Sequence, residues 1–334
     1  MSKDYKIVFV DDVLPITEHE KEIINGFGCE VNQFSAFTTE EILEVAKDAD
    51  AIMTVSGKFN KDTVDGLEKC KVIGRYGMGV DNVDLAAATE KGIVVNYVPV
   101  YCSDEVATLG ATLILALSRK LQIADKVVKG GHWEDSVKSI GGAFSIQGKT
   151  LGILGFGKIG QVFAPLMKPF GVDLITYDPY VNLDACKELG VRSVTREELL
   201  KESDIIYLQM PLVPETRHTI GETELSMMKD GVVIVNTGRG ALIDQEALKA
   251  AIKSGKVGGA GLDVLEFEPP DPEDELFKME NVITSGHIGA ATAEAIVRLR
   301  RAVAQGIVDV LDGRVPDLPA AVANKEVLEK LDLK

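Results

Sequence analysis

Residues 150–160 read Thr150-Leu-Gly-Ile-Leu-Gly-Phe-Gly-Lys-Ile-Gly160, an apolar run that enters a glycine-rich turn. The run predicts a buried strand, and the Gly155-x-Gly157-x-x-Gly160 spacing predicts a phosphate-binding turn into a helix. In such a turn the first glycine permits the tight bend. The second lets backbone approach a pyrophosphate, and the third lets helix and strand pack closely. The helix N-terminus adds unpaired N–H groups and partial positive charge. Asp178 closes the next strand-like run, "VDLITYD", where a carboxylate can hydrogen-bond the adenosine ribose and repel a 2′-phosphate. The motif therefore predicts NAD as cofactor. Pro165 and Pro169 fall where the following helix should run, so that helix is expected to be short or kinked.

Working outward, strand-like and helix-like segments alternate along the whole chain, which predicts parallel sheets built from βαβ units. Before the glycine turn, strands are expected at Lys6–Val10, Glu30–Phe34, Ala51–Val55, Val72–Arg75 and Val94–Asn96. Thr38 and Glu41 match a capping box that opens a helix to about Lys47. After the turn, strands are expected at Val172–Tyr177, Val191–Val194, Asp204–Gln209, Val232–Asn236, Gly259–Val264 and Val282–Thr284. The segment from Ser103 to about Leu121 is apolar on more than one face and is expected to be a buried helix. A last helix, Ala293–Leu311, ends before Gly313, where a C′ glycine is expected. This pattern divides the chain into residues 1–100 plus 291–334 and residues 101–290. Two crossings between such domains would make a hinge, and a cleft there is a common small-molecule site.

The bulk numbers bound the function. A chain of 334 residues with 46% apolar content can bury two cores. The formal net charge of −16 argues against a nucleic-acid partner, which needs a basic stripe. No apolar run reaches the ~20 residues of a membrane span, and residues 1–10 lack a secretory pattern, so a cytoplasmic protein is expected. Cys29, Cys70, Cys102 and Cys186 are dispersed, and His19, His132, His218 and His287 show no ligand spacing, so no metal is expected. His218 is expected to lead into a helix, and His132 and Trp133 to pack a loop. The run 268–275, "EPPDPEDE", is expected to be a solvated loop.

Three polar residues each follow a strand of the second series: Arg239 in "VVIVNTGRG", Glu268 in "GLDVLEFEPP" and His287 in "VITSGHIGA". In an open parallel sheet, ligands bind outside the carboxyl ends of the strands. Arginine can grip a carboxylate through two hydrogen bonds. Histidine can pass a proton near neutral pH, and a carboxylate on its second nitrogen fixes the tautomer. Spacing alone does not pair Glu268 with His287.

Together with "GRYGMGVDNVD" (74–84) and "PLVPETRHTIG" (211–221), these motifs resemble the D-isomer-specific 2-hydroxyacid dehydrogenases over nearly the whole chain and in the same order. The resemblance implies an α/β fold of two doubly wound parallel-sheet domains, with an NAD-binding Rossmann domain inserted in a flavodoxin-like substrate domain. It implies hydride transfer between NAD(H) and C2 of a small 2-oxo or D-2-hydroxy acid. Arg239 would bind the carboxylate, Glu268 would tune His287, and His287 would be the acid/base. Gly155, Gly157, Lys158, Ile159, Gly160 and Asp178 would hold the pyrophosphate and adenosine side. Met210, Pro211, Thr237, Gly238, Arg239, Asp263, His287 and Gly289 match the nicotinamide side, with Asp263 on the carboxamide. Gly77, Met78, Gly79 and Tyr101 match the substrate side, and the helix region 103–121 the homodimer contact.

Departures narrow the substrate. An arginine that phosphoglycerate dehydrogenases carry near Thr54 is absent, and so is their common C-terminal regulatory domain, although Lys58 and Arg75 leave positive charge nearby. Both departures weaken phosphoglycerate as substrate. Glu268 argues against the formate dehydrogenases of the superfamily, which lack the histidine's acidic partner. Two alternatives stay open: a non-catalytic NAD(H)-sensing scaffold, as in C-terminal-binding-protein-like relatives, and phosphite oxidation, which uses a similar Arg, Glu and His set.

Overall fold

The computed structural model describes residues 4–334. The chain forms two compact units: residues up to Tyr101 together with Thr292–Lys334, and Cys102–Ala291.

The first unit is built on a six-stranded sheet among the described residues. Its strands are β1 (Ile7–Phe9), β2 (Val31–Gln33), β3 (Ala51–Thr54), β4 (Val72–Arg75), β5 (Val94–Tyr97) and, from the far end of the chain, β13 (Ala321–Val322). The order is β2-β1-β3-β4-β5-β13. β1 to β5 pair in parallel, in the flavodoxin-like arrangement. β1 and β3 are buried throughout, as parallel strands covered on both faces must be. Thr38 caps the helix Thr39–Ala46: its hydroxyl accepts from the Glu41 N–H, and Glu41 accepts from the Thr38 N–H at 3.1 Å.

The helix Ala293–Leu311 belongs to this unit, with Val303 and Ile307 packed on Gly74 of β4. It carries Arg300, which pairs with Glu20 of the helix Glu18–Gly26. Both side chains are buried, and the Tyr76 hydroxyl donates to the same Glu20 oxygen at 3.1 Å. Removing one member of such a pair strands a buried charge and costs about 3–5 kcal/mol. β13 was not expected from the sequence. It is two residues long and runs antiparallel to β5, beside Asn324, whose side chain bonds Val95 N and Ile93 O at 2.9 Å each.

The second unit holds β6 (Thr150–Leu154), β7 (Asp173–Tyr177), β8 (Arg192–Ser193), β9 (Ile205–Leu208), β10 (Val232–Asn236), β11 (Val257–Leu262) and β12 (Val282–Thr284). Their order is β8-β7-β6-β9-β10-β11-β12, all parallel. From β8 to β11 this is the 3-2-1-4-5-6 order of a Rossmann sheet, with one strand added. β6 and β9 are neighbours at its centre, so the order of strands reverses beside the glycine turn.

Three expectations need correction. The apolar segment from Ser103 forms a helix only to Ser118, with Val106, Ala107, Gly110, Ala111, Leu113, Ile114 and Leu117 buried. Lys120 takes a left-handed conformation (φ 49°), and a second helix, Leu121–Lys129, leaves at 65°. No residue of that second helix is buried. Among the described residues no single helix is long and apolar enough to cross a membrane. Trp133 does not pack a loop; it is 71% exposed, because the short turn Trp133–Asp135 has no core beneath it. His218 does not lead into a helix. It sits in a turn at φ 51°, and the next helix starts at Glu222, after Gly221.

The two prolines after the glycine turn are accommodated. The helix Lys158–Met167 runs through Pro165 and then tightens into a 3-10 turn, Lys168–Phe170, that contains Pro169.

Candidate active site

The glycine turn fits a dinucleotide. Gly155 has φ 95°, and a Cβ there would lie 2.7 Å from the Gln209 backbone, so a side chain is barred twice over. A Cβ on Gly160 would lie 2.7 Å from the Gly155 carbonyl oxygen. Gly157 differs: a Cβ would meet nothing within 4 Å, which leaves open space where a pyrophosphate has to approach. The helix starts at Lys158 and Ile159 with no side-chain cap on Gly157. Asp178 follows β7, and its Oδ2 accepts from the Phe156 N–H at 2.8 Å while Oδ1 accepts from the Tyr180 N–H at 2.8 Å. The acid therefore pins the glycine turn.

The catalytic candidates stand on the same edge of the sheet. Arg239 follows β10, Glu268 follows β11 and His287 follows β12. His287 has a left-handed backbone (φ 59°), sparsely populated for a non-glycine residue and a mark of imposed geometry. Asp263, itself buried, imposes it. Its carbonyl accepts from His287 N–H, Oδ1 from Ile288 N–H and Ser285 Oγ, and Oδ2 from Gly289 N–H at 2.9 Å.

This loop aims the imidazole at Glu268. His287 Nδ1 donates to Glu268 Oε2 at 2.7 Å, and Glu268 Oε1 accepts from the Leu265 N–H at 3.0 Å. The hydrogen bond to Glu268 raises the His287 pKa above its ordinary value against the opposing effect of burial; Asp263 adds to the rise and Arg239 opposes it. For Glu268, burial pushes upward, but the bonds from His287 and Leu265 outweigh it and hold the carboxyl below its ordinary range. The pair is half-exposed.

Other expected residues have definite surroundings. Thr237 is buried, with its hydroxyl bonded to Tyr207 Oη at 2.9 Å and to Gln209 Nε2. Met210 is buried and Pro211 exposed at the end of β9. Gly238 N–H donates to Asn236 Oδ1 at 3.0 Å, and the Asn236 amide donates to the Arg239 carbonyl at 2.8 Å, which fixes the Arg239 turn. Gly77, Met78, Gly79 and Tyr101 lie in the first unit. The Gly77 N–H is occupied by the Arg75 carbonyl at 3.1 Å, and the Gly77 carbonyl by Val98 N–H. Tyr101 is buried, and its carbonyl accepts from Arg298 Nε at 3.0 Å. Sequence reading missed Ser285 and Gln209, which hold Asp263 and Thr237, and Glu266, which pairs with His218. The first acid of "LEFEPP" was the available signal for Glu266.

With this geometry, comparison with known proteins is direct. The family model described as D-isomer specific 2-hydroxyacid dehydrogenase, NAD binding domain, matches residues 111–289. The chain belongs to this family. Its cofactor is NAD. The D-3-phosphoglycerate dehydrogenase of Methanocaldococcus jannaschii is 42% identical over 98% of this chain, yet the chain spans only 62% of that relative's length. The glyoxylate reductase of Thermococcus litoralis is 41% identical over 86% of this chain and 87% of its own. The solved structure of D-lactate dehydrogenase from Aquifex aeolicus, complexed with NAD and lactic acid, superposes with a TM-score of 0.83 at 27% identity, over 98% of both chains.

Proposed function

We propose that this member of the D-2-hydroxyacid dehydrogenase family interconverts a small 2-oxo acid and its D-2-hydroxy acid, using His287 as acid/base, Glu268 as its partner and Arg239 as the carboxylate grip. The observation that carries the reading is the His287 Nδ1–Glu268 Oε2 bond of 2.7 Å on the sheet edge where the glycine turn lies. NAD(H), when bound by the glycine turn, supplies or takes the hydride at C2.

The protein's own residues do the rest. Nδ1 is committed to Glu268, so Nε2 is the atom that gives a proton to the C2 oxygen in reduction and takes it back in oxidation. The hydrogen bond to Glu268 stabilises the imidazolium and raises the His287 pKa, which favours the proton-donating form. Arg239 orients the substrate through its carboxylate, and its positive charge favours the developing alkoxide. Gly77, Met78, Gly79 and Tyr101 are proposed as substrate-side residues. The glyoxylate reductase relative, matched along most of its length, puts glyoxylate first among substrates to test.

We further propose a homodimer in the cytoplasm, its contact centred on 121–140 rather than on the buried helix before it. The supporting observation is the amphipathic helix Leu121–Lys129 with no buried residue, followed by Trp133 and Val137 at 71% and 80% exposure.

Replacement of His287 tests the catalytic reading. His287→Ala should lower turnover ~10²–10⁴-fold, the usual contribution of a general acid/base. Turnover near that of the wild type would remove His287 from the mechanism.

A further inference from the structure

A second charged knot lies beside the proton-transfer pair, and its meaning rests on the reading just given. Glu266 precedes Glu268 by two positions, and its side chain is only 8% exposed. Its Oε1 accepts from Arg217 Nη2 at 3.0 Å and lies 2.6 Å from His218 Nε2. Its Oε2 accepts from the Gln245 N–H at 3.3 Å, and its own N–H donates to Gln245 Oε1 at 3.2 Å. Three segments are thereby tied together: the turn after β9, the start of the helix Gln245–Lys253 after β10, and the loop after β11.

The tie reaches the catalytic residues through backbone. His218 N–H donates to the Ala241 carbonyl at 2.8 Å, and Ile220 N–H to the Leu242 carbonyl at 3.0 Å, so the β9 turn lies along the Arg239–Leu242 segment. Gly240 is pressed against the Glu266 loop; a Cβ there would lie 1.9 Å from the Leu265 carbonyl group. Leu265 is the residue whose N–H holds Glu268 Oε1. Any shift of 265–266 therefore moves both the Arg239 turn and the carboxylate that sets His287.

We propose that Glu266, clasped by Arg217, His218 and Gln245, is a positioning residue that holds Glu268 on His287 and keeps the Arg239 turn in register. Glu266 touches no reacting atom. A carboxylate this buried persists only because donors on two other segments satisfy it, and that requirement makes the clasp specific in geometry. The charged groups that face His287 are Glu268, Asp263 and Arg239, so Glu266 acts on it through where Glu268 stands.

Glu266→Gln in the full chain tests the clasp. It keeps the shape and the acceptor for Gln245 but loses the charge that draws in Arg217 and His218. Two readouts are needed: an NMR titration of ¹⁵N-labelled imidazoles, with His287→Ala assigning the signal, and kcat and KM for NADH-dependent reduction. The expected result is a His287 titration moved to lower pH and kcat reduced about 10-fold or more, within the ~10²-fold that a small misplacement can cost, with KM changed less. Arg217→Gln, on an exposed side chain, should move both readouts in the same direction by less, and it serves if Glu266→Gln does not fold. An unchanged His287 titration with kcat within about twofold of wild type, even with a lowered Tm, would overturn the proposal. Failure of the catalytic reading looks different. His287→Ala would then keep its turnover, whereas the NMR titration would still report whether Glu266 sets the pair.

Discussion

His287 derives its behaviour from one short bond and one unusual backbone angle. Its pKa is raised first by the hydrogen bond to Glu268, so the imidazolium persists to higher pH than an ordinary histidine's. In the proposed mechanism, reduction needs that protonated form. Its kcat/KM should be flat below the raised pKa and fall above it, while oxidation, which needs the neutral ring, should rise over the same interval. Glu268→Gln removes the charge that raises the pKa, so the reductive limb should move to lower pH; coincident pH profiles for wild type and variant would refute the pairing. Asp178 calls for a gentler substitution than alanine, because it also pins Phe156 and Tyr180. Asp178→Asn retains one of the two backbone acceptors, so it should disturb the turn less than alanine and relax the discrimination against NADP. An unchanged ratio of NAD to NADP affinity by calorimetry would mean that Asp178 does not read the ribose.

Among the elements, the glycine turn separates folding from binding. Gly155→Ala forces a side chain into the Gln209 backbone at a left-handed angle, so it should lower Tm and NADH affinity together. Gly157→Ala enters open space, so its stability should stay within about 0.5 kcal/mol of wild type while NADH binding weakens at least ~10-fold. Equal loss of Tm in both variants would contradict the assigned roles.

The long buried strands, the cofactor turn and the helix Ala293–Leu311 were legible because each carries a dense apolar or glycine pattern over contiguous residues. β13 was not, since two residues carry no periodicity. The break at Lys120 was not, because "LSRKL" offers no glycine or proline to mark a left-handed residue. The His218–Glu266 contact joins residues far apart in sequence through a turn whose backbone no local rule specifies. For the same reason His287 and Glu268 could be paired only through family resemblance, not through spacing.

The molecule as a whole combines two parallel-sheet units of the same chain, one split between both chain ends and one continuous. Net charge is −16, so in the proposed reaction the substrate carboxylate has to be drawn in by local cations, among them Arg239 on the sheet edge. The exposed apolar face of 121–140 predicts association. Trp133→Glu with Val137→Glu should lower the sedimenting mass toward a monomer without lowering Tm, whereas an unchanged mass would put the contact elsewhere. The most direct measurement is NADH consumption with glyoxylate, hydroxypyruvate, pyruvate, branched 2-oxo acids and phosphohydroxypyruvate, with chiral analysis of the product. The proposed function predicts turnover of at least one small 2-oxo acid to the D-hydroxy acid, lowered ~10²–10⁴-fold in His287→Ala. Tight NADH binding with no turnover of any of them would contradict the enzyme reading and favour an NAD(H)-sensing scaffold.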